Sequence, residues 1–193
     1  MYKYFLILLS ASSHLFANPI DEIPYKENND TYNFFIEVPA GTNQKWEVNK
    51  SNGILEWEEK KGKKRIISFL PYPGNYGFIP QTLAGDSDAL DIIDLDESQA
   101  RNSIKKVKIL GGLYLEDDKE LDLKIIAIGE KSVFNQYDDL LQILLAKPMA
   151  IENIKNWFLN YKKPGKIVFF RYLNKQEAIN YIENAHLQWE SRN

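Results

Sequence analysis

Three aspartates fall within six residues in the run Gly85-Asp86-Ser87-Asp88-Ala89-Leu90-Asp91. Carboxylates this close repel one another, and the crowding raises their pKa values unless a cation sits among them. A hard cation such as Mg²⁺ takes oxygen ligands and leaves positions for water and for phosphate oxygens. In extended chain Asp86 and Asp88 share a side and Asp91 has the opposite parity, so the segment must bend if all three are to converge. A solvated acidic turn is the plainer alternative. A calcium loop starting at Asp86 fails, because Leu90 stands where a ligand belongs and Asp91 where glycine is required.

A second acidic group, Asp117, Asp118, Glu120 and Asp122, precedes Lys124. Taken alone, such a run reads as a solvated hairpin turn. Asp122 and Lys124 nevertheless share a strand face, so a carboxylate and an ammonium can point into one cavity. Two acidic clusters with cations nearby match what metal-assisted phosphoryl transfer requires. The composition narrows the choice further. Cysteine is absent and the histidines are His14 and His186 alone. Thiolate nucleophiles, disulfides, Cys-type zinc sites and multi-histidine metal sites are therefore excluded. Any chemistry must be run by carboxylates, Lys, Arg and Tyr. The net charge of −3 offers no basic face for nucleic acid.

These residues need a frame to hold them. Runs that alternate, or are rich in Ile, Val and aromatics, predict strands at Tyr32–Val38, Lys45–Val48, Ile54–Glu58, Arg65–Phe69, Leu90–Leu95, Ser103–Leu110, Asp122–Ile128 and Ile167–Leu173. Turn signals separate them at Asn52-Gly53, Lys61-Gly62-Lys63, Pro73-Gly74-Asn75, Gly111-Gly112 and Pro164-Gly165. The last third predicts three helices. One opens at Asp138-Asp139 and breaks near Pro148, a second carries Ile151, Ile154, Trp157, Phe158 and Tyr161 at helical spacing, and a third has Asn174 as N-cap with Glu177 three residues on. Many short strands followed by segregated helices predict an α+β, mainly β fold, a small barrel with helices packed on it.

The N-terminus differs from the rest. Lys3 precedes an apolar stretch from Phe5 that ends near Leu15-Phe16-Ala17, the pattern of a secretory signal cleaved after Ala17. Residues 1–17 are therefore expected as a signal peptide and 18–193 as one domain, periplasmic or secreted, with an N-terminal strand or helix of a cytoplasmic protein as the alternative. No other stretch reaches the length of a membrane span.

The signatures Ile36-Glu37-Val38-Pro39, Lys45-Trp46-Glu47, Lys61-Gly62-Lys63-Lys64-Arg65 and Pro73-Gly74-Asn75-Tyr76-Gly77-Phe78-Ile79-Pro80 occur in that order. The Asp86–Asp91 run, Asp117 through Lys124, and Tyr161-Lys162 follow. In this ordered set the chain resembles the soluble inorganic pyrophosphatases of the small-barrel family, from about Tyr32 to the C-terminus. The resemblance implies an OB-like five-stranded barrel, hydrolysis of diphosphate to two phosphates by a metal-activated water, several Mg²⁺ ions with Mn²⁺ as the alternative, and a homo-oligomer. It further implies metal ligation by Asp86, Asp91, Asp117, Asp122 and Glu37, with Asp88 as general base. Lys45, Arg65, Tyr76, Lys124, Tyr161 and Lys162 would bind substrate, with Glu47 and Tyr72 nearby. Ala89 departs from the family, which usually has proline there. A non-catalytic binding barrel, or a hydrolase of organic diphosphates or polyphosphate, are the rival readings.

Overall fold

Strands buried along their whole length need cover on both faces, and β1 (Tyr32–Val38) is of that kind. The computed structural model describes residues 18–192, so the expected leader at 1–17 lies outside the described residues. After β1 come β2 (Trp46–Val48), β3 (Leu55–Trp57), β4 (Glu59–Lys60), β5 (Lys63–Lys64), β6 (Tyr76–Phe78), β7 (Asp91–Asp94), β8 (Ser103–Asp117) and β9 (Glu120–Gly129). Then follow α1 (Leu140–Ala146), α2 (Pro148–Asn160), β10 (Ile167–Leu173) and α3 (Lys175–Ser191).

Hydrogen bonding runs β1-β6-β7-β9-β8-β10, and β1 also pairs with β8, which closes a ring of five strands, β1, β6, β7, β9 and β8. The expected five-stranded barrel is therefore formed, with β10 appended outside the ring. All its pairings are antiparallel except β7 with β9. The long strand β8 pairs with β9 along one edge and shares the other between two neighbours, β1 through Ser103–Val107 and β10 through Gly112–Asp117. Successive isoleucines take opposite faces, as the strand period requires. Ile93 and Ile126 join the cluster holding the apolar faces of α1 and α2, while Ile92 and Ile125 join the one holding α3.

Three local expectations are corrected. Gly111-Gly112 is no turn, because β8 runs straight through it. A Cβ on Gly111 would lie 2.3 Å from the Leu173 carbonyl oxygen and 2.7 Å from Leu140 Cβ, so glycine serves close approach there. Arg65–Phe69 forms no strand beyond a single bridge between Gln44 and Ile66. The Asn43 amide takes the carbonyls of Ile67 and Phe69 at 2.9 and 3.1 Å, satisfying groups that a strand neighbour would otherwise bond. Tyr76–Phe78, which lies outside every expected strand, is the strand β6 between β1 and β7.

The helix signals hold. Asp139 caps α1, and Pro148 both ends that helix and occupies the first turn of α2, where its missing N–H costs nothing. Asn174 and Glu177 form a reciprocal capping box on α3. Asn174→Ala should lower stability by about 1 kcal/mol, a fall of roughly 2–4 °C in the midpoint for a domain of this size, measured by thermal unfolding.

Candidate active site

One cavity gathers side chains from β1, β2, β6, β7, β8, β9, the turn before β7 and the end of α2, most of them acidic, basic or aromatic. Glu37 reaches it through an irregularity. The pairing of β1 with β6 shifts register between Ile36 and Val38, so Glu37 sits in a bulge and is re-aimed as bulged residues are. Gly77 opposite allows this, since a Cβ there would meet the Phe35 carbonyl oxygen at 2.0 Å and the Glu37 nitrogen at 3.0 Å. The Glu37 carboxylate accepts the Val48 N–H at 2.8 Å, and burial pushes its pKa up to about 7.

The acidic turn bends as its parity demanded. Ser87 takes a positive φ of 67°, and Asp86 Oδ1 accepts the Asp88 N–H at 3.0 Å. Asp86 and Asp88 remain at the exposed mouth while Asp91 enters β7. There the parallel register sets Asp91 beside Lys124 of β9. The Lys124 ammonium is buried and ion-pairs with both Asp91 and Asp122, the latter at 2.5 Å. Burial opposes its charge, but the two carboxylates outweigh that and its pKa is raised. Asp122 is pushed up by burial, with Lys124 pulling the other way.

Asp117 and Asp122 flank a two-residue hairpin loop, Asp118-Lys119, with both φ positive at 51° and 75°, the type I′ signature. The acidic run is thus a solvated turn and a cavity wall at once. Asp118 is outside, paired with Lys166, while Asp117 and Asp122 line the cavity. Lys162 pairs with one Asp117 oxygen, and the other, Oδ1, is buried without a hydrogen-bond partner.

The cation side is less committed. The Lys45 side chain makes no hydrogen bond or ion pair among the described residues, and its ammonium lies 5.1 Å from the centre of the Tyr76 ring. The Tyr76 phenol, its pKa raised well above normal by burial, is 3.5 Å from Lys124 Nζ. Tyr161 caps α2, stacks on Trp157 at 4.7 Å and also lines the cavity.

Of the residues singled out in the sequence, Glu37, Lys45, Glu47, Tyr76, Asp86, Asp88, Asp91, Asp117, Asp122, Lys124 and Tyr161 line this one cavity. Three stand one layer back: Lys162 on Asp117, Tyr72 packed on Tyr76 and Trp157, and Arg65, whose Nη1 donates to both Glu58 oxygens at 2.9 and 2.7 Å. Sequence reasoning missed Lys50, which also lines the cavity, and no local pattern distinguishes it from other turn lysines. It also missed the bracing role of Asn75. The Asn75 amide donates to the Asp94 carboxylate and the Glu97 carbonyl and accepts from the Ala40 and Gln99 N–H groups, anchoring the chain immediately before Tyr76. Only the Pro73-Gly74-Asn75 turn signal pointed there.

Among the described residues no group of three or more acidic or histidine side chains stands arranged to hold a metal ion. Lysines occupy the space between them, Lys124 between Asp91 and Asp122 and Lys162 at Asp117. The donors are nonetheless oxygen throughout, and the orphaned Asp117 Oδ1 is an unspent acceptor in the wall. Such a set fits a hard divalent cation.

Residues 34–190 match the family described as inorganic pyrophosphatase. The mitochondrial inorganic pyrophosphatase of Saccharomyces cerevisiae is 34% identical, the alignment covering 98% of this chain and 71% of that protein. The inorganic pyrophosphatase of Nanoarchaeum equitans is 38% identical over 82% of this chain and 97% of its own length. The crystal structure of the type I inorganic pyrophosphatase from Toxoplasma gondii is similar with a TM-score of 0.84 at 25% identity, covering 91% of this chain and 88% of that one.

The bulge that aims Glu37 makes a prediction about Gly77. Gly77→Ala should destabilise the fold by about 1–3 kcal/mol, because backbone must move. Gly85→Ala, whose Cβ meets nothing within 4 Å, should change it by less than about 0.5 kcal/mol. Denaturant unfolding of the pair checks both.

Proposed function

Since the chain belongs to the inorganic pyrophosphatase family and hydrolyses inorganic diphosphate to two phosphates, we propose that it does so with Mg²⁺ and by direct attack of water, with no covalent intermediate. One observation carries this reading. The same cavity holds an uncommitted ammonium, Lys45, and an uncommitted carboxylate oxygen, Asp117 Oδ1. A ligand that satisfies both must bring negative and positive charge together, as a divalent salt of diphosphate does.

Asp86, Asp91, Asp117 and Asp122 are the proposed metal ligands, with Glu37 joining them from its bulge. Bound Mg²⁺ supplies neutralisation of the diphosphate oxygens and a more acidic water, and Mn²⁺ suits the same all-oxygen donors. Lys45, Lys124, Tyr76 and Tyr161 hold the diphosphate. Lys162 and Arg65 complete that set from behind, each now resting on a carboxylate, Asp117 and Glu58. The buried ammonium of Lys124 keeps its charge beside Asp91 and Asp122. Asp88 is the general base. It stands at the mouth with its side chain 47% exposed, where water reaches it, and histidine is not needed for the step.

Two further parts belong to the same reading. Residues 1–17 are a leader removed after Ala17, which would place the mature chain in the periplasm or outside the cell, and the mature chain works as a homo-oligomer. N-terminal sequencing of the protein purified from its own cell should begin at Asn18, and a start at Met1 would refute the leader.

Phosphate release from diphosphate should require added Mg²⁺ and stop in a chelator. Asp91→Ala and Asp122→Ala should each lose about a hundredfold or more in turnover, as should Asp88→Asn, the range expected when a positioned acid–base group is removed. Either alanine variant turning over at the unmodified rate would overturn the ligand assignment.

A further inference from the structure

Lys50 has no part in the scheme above, yet it lines the cavity. It lies in the turn after β2, the short strand that carries Glu47 and follows Lys45 directly. Its ammonium ion-pairs with the Asp88 carboxylate and donates to the Ser87 carbonyl oxygen at 3.2 Å. Two loops otherwise distant in sequence are joined by these contacts.

Ser87 is the residue of the acidic turn held at positive φ, a conformation that costs a non-glycine residue free energy and persists only where surroundings hold it. On one flank Ala89 packs against the small cluster of Phe35, Val48 and Phe78. On the other, the Asp88 N–H bonds back to Asp86 Oδ1, so the turn sets both aspartates together. Asp88 itself is exposed at the mouth, where a free carboxylate rotates readily.

Resting on the reading of Asp88 as general base, we propose that Lys50 is a positioning residue that braces the Ser87-Asp88 turn and fixes the carboxylate for proton abstraction. Exposed ion pairs add little to stability, so the effect lies in geometry. The hold is double, on the Asp88 carboxylate and on the Ser87 carbonyl. Misplacing a reacting group by about 1 Å costs up to about a hundredfold in rate, whereas substrate binding depends on Lys45 and the tyrosines and is little changed.

The test is steady-state phosphate release by Lys50→Met, Lys50→Arg, Asp88→Asn and the Lys50→Met/Asp88→Asn double variant, with thermal midpoints for all four. Lys50→Met should lower kcat about tenfold with KM changed by less than about threefold, and Lys50→Arg should recover most of the loss. In the Asp88→Asn background the Lys50→Met effect should vanish, as coupled sites behave in a double-mutant cycle. The inference is overturned by an unchanged kcat in Lys50→Met, by a full tenfold loss persisting without Asp88, or by a loss that Arg does not recover and that tracks a lowered midpoint. Asp88→Asn with normal kcat overturns the base assignment and this inference with it. Normal kcat in Lys50→Met beside a collapsed Asp88→Asn overturns Lys50 alone.

Discussion

Carboxylates gathered in one cavity repel, and that repulsion governs this structure. Asp91 and Asp122 are brought together by strands that the barrel forces side by side, and the buried ammonium of Lys124 between them makes the arrangement tolerable. A buried charge without partners is costly, and a paired one gains only if its geometry is good. The parallel register of β7 against β9 supplies that geometry by setting Asp91 directly beside Lys124. Asp117 is treated alike by Lys162, and Asp88 by Lys50. Asp88, Asp91 and Asp117 thus each meet a lysine from a different part of the chain, while Asp122 meets one two residues along its own strand.

Departures from regular structure do the aiming. The bulge at Glu37 turns a strand residue into the cavity, and Gly77 leaves room for it. The positive φ of Ser87 reverses the parity that would otherwise separate Asp88 from Asp91. A tight loop at Asp118-Lys119 lets β8 and β9 each place an aspartate near the same point. Such irregularities cluster where function needs them, and the closed ring of strands supplies the rigidity. At the far end of β7, Asp94 is fully buried and bonded to Asn75 and Lys105, which pins the segment preceding Tyr76.

The chemistry follows from what the chain lacks as much as from what it has. With no cysteine, and with His186 stacked between Tyr25 and Trp189 outside the cavity lining, the titratable groups of the cavity are carboxylates, lysines and tyrosines. Those carboxylates differ in environment. Glu37 is desolvated and Asp122 is buried against Lys124, while Asp86 and Asp88 face water at the mouth. Groups of one residue type therefore stand in different surroundings within one cavity, desolvated inside and solvated at the entrance, the condition under which carboxylates come to differ in behaviour.

By itself the sequence determined the chemical class and most of the parts. The spacing of Asp86, Asp88 and Asp91, the acidic run before Lys124 and the order of the signatures marked a site for metal and phosphate. Alternation, turn residues and caps marked most strands and all three helices, because those signals are local. Tertiary structure decided the remainder. Gly111-Gly112 and Pro73-Gly74-Asn75 carry the residues of turns, yet one continues a strand and the other leads into β6, since only the approach of Leu140, Leu173 and Asp94 explains their glycines. Arg65–Phe69 has the composition of a strand, but the Asn43 side chain takes its carbonyls. Which cations are spent and which are free was also invisible in the sequence. Lys45, Lys50, Lys124 and Lys162 are the same residue type, and only the register and closure of the barrel give three of them carboxylate partners and leave Lys45 without one.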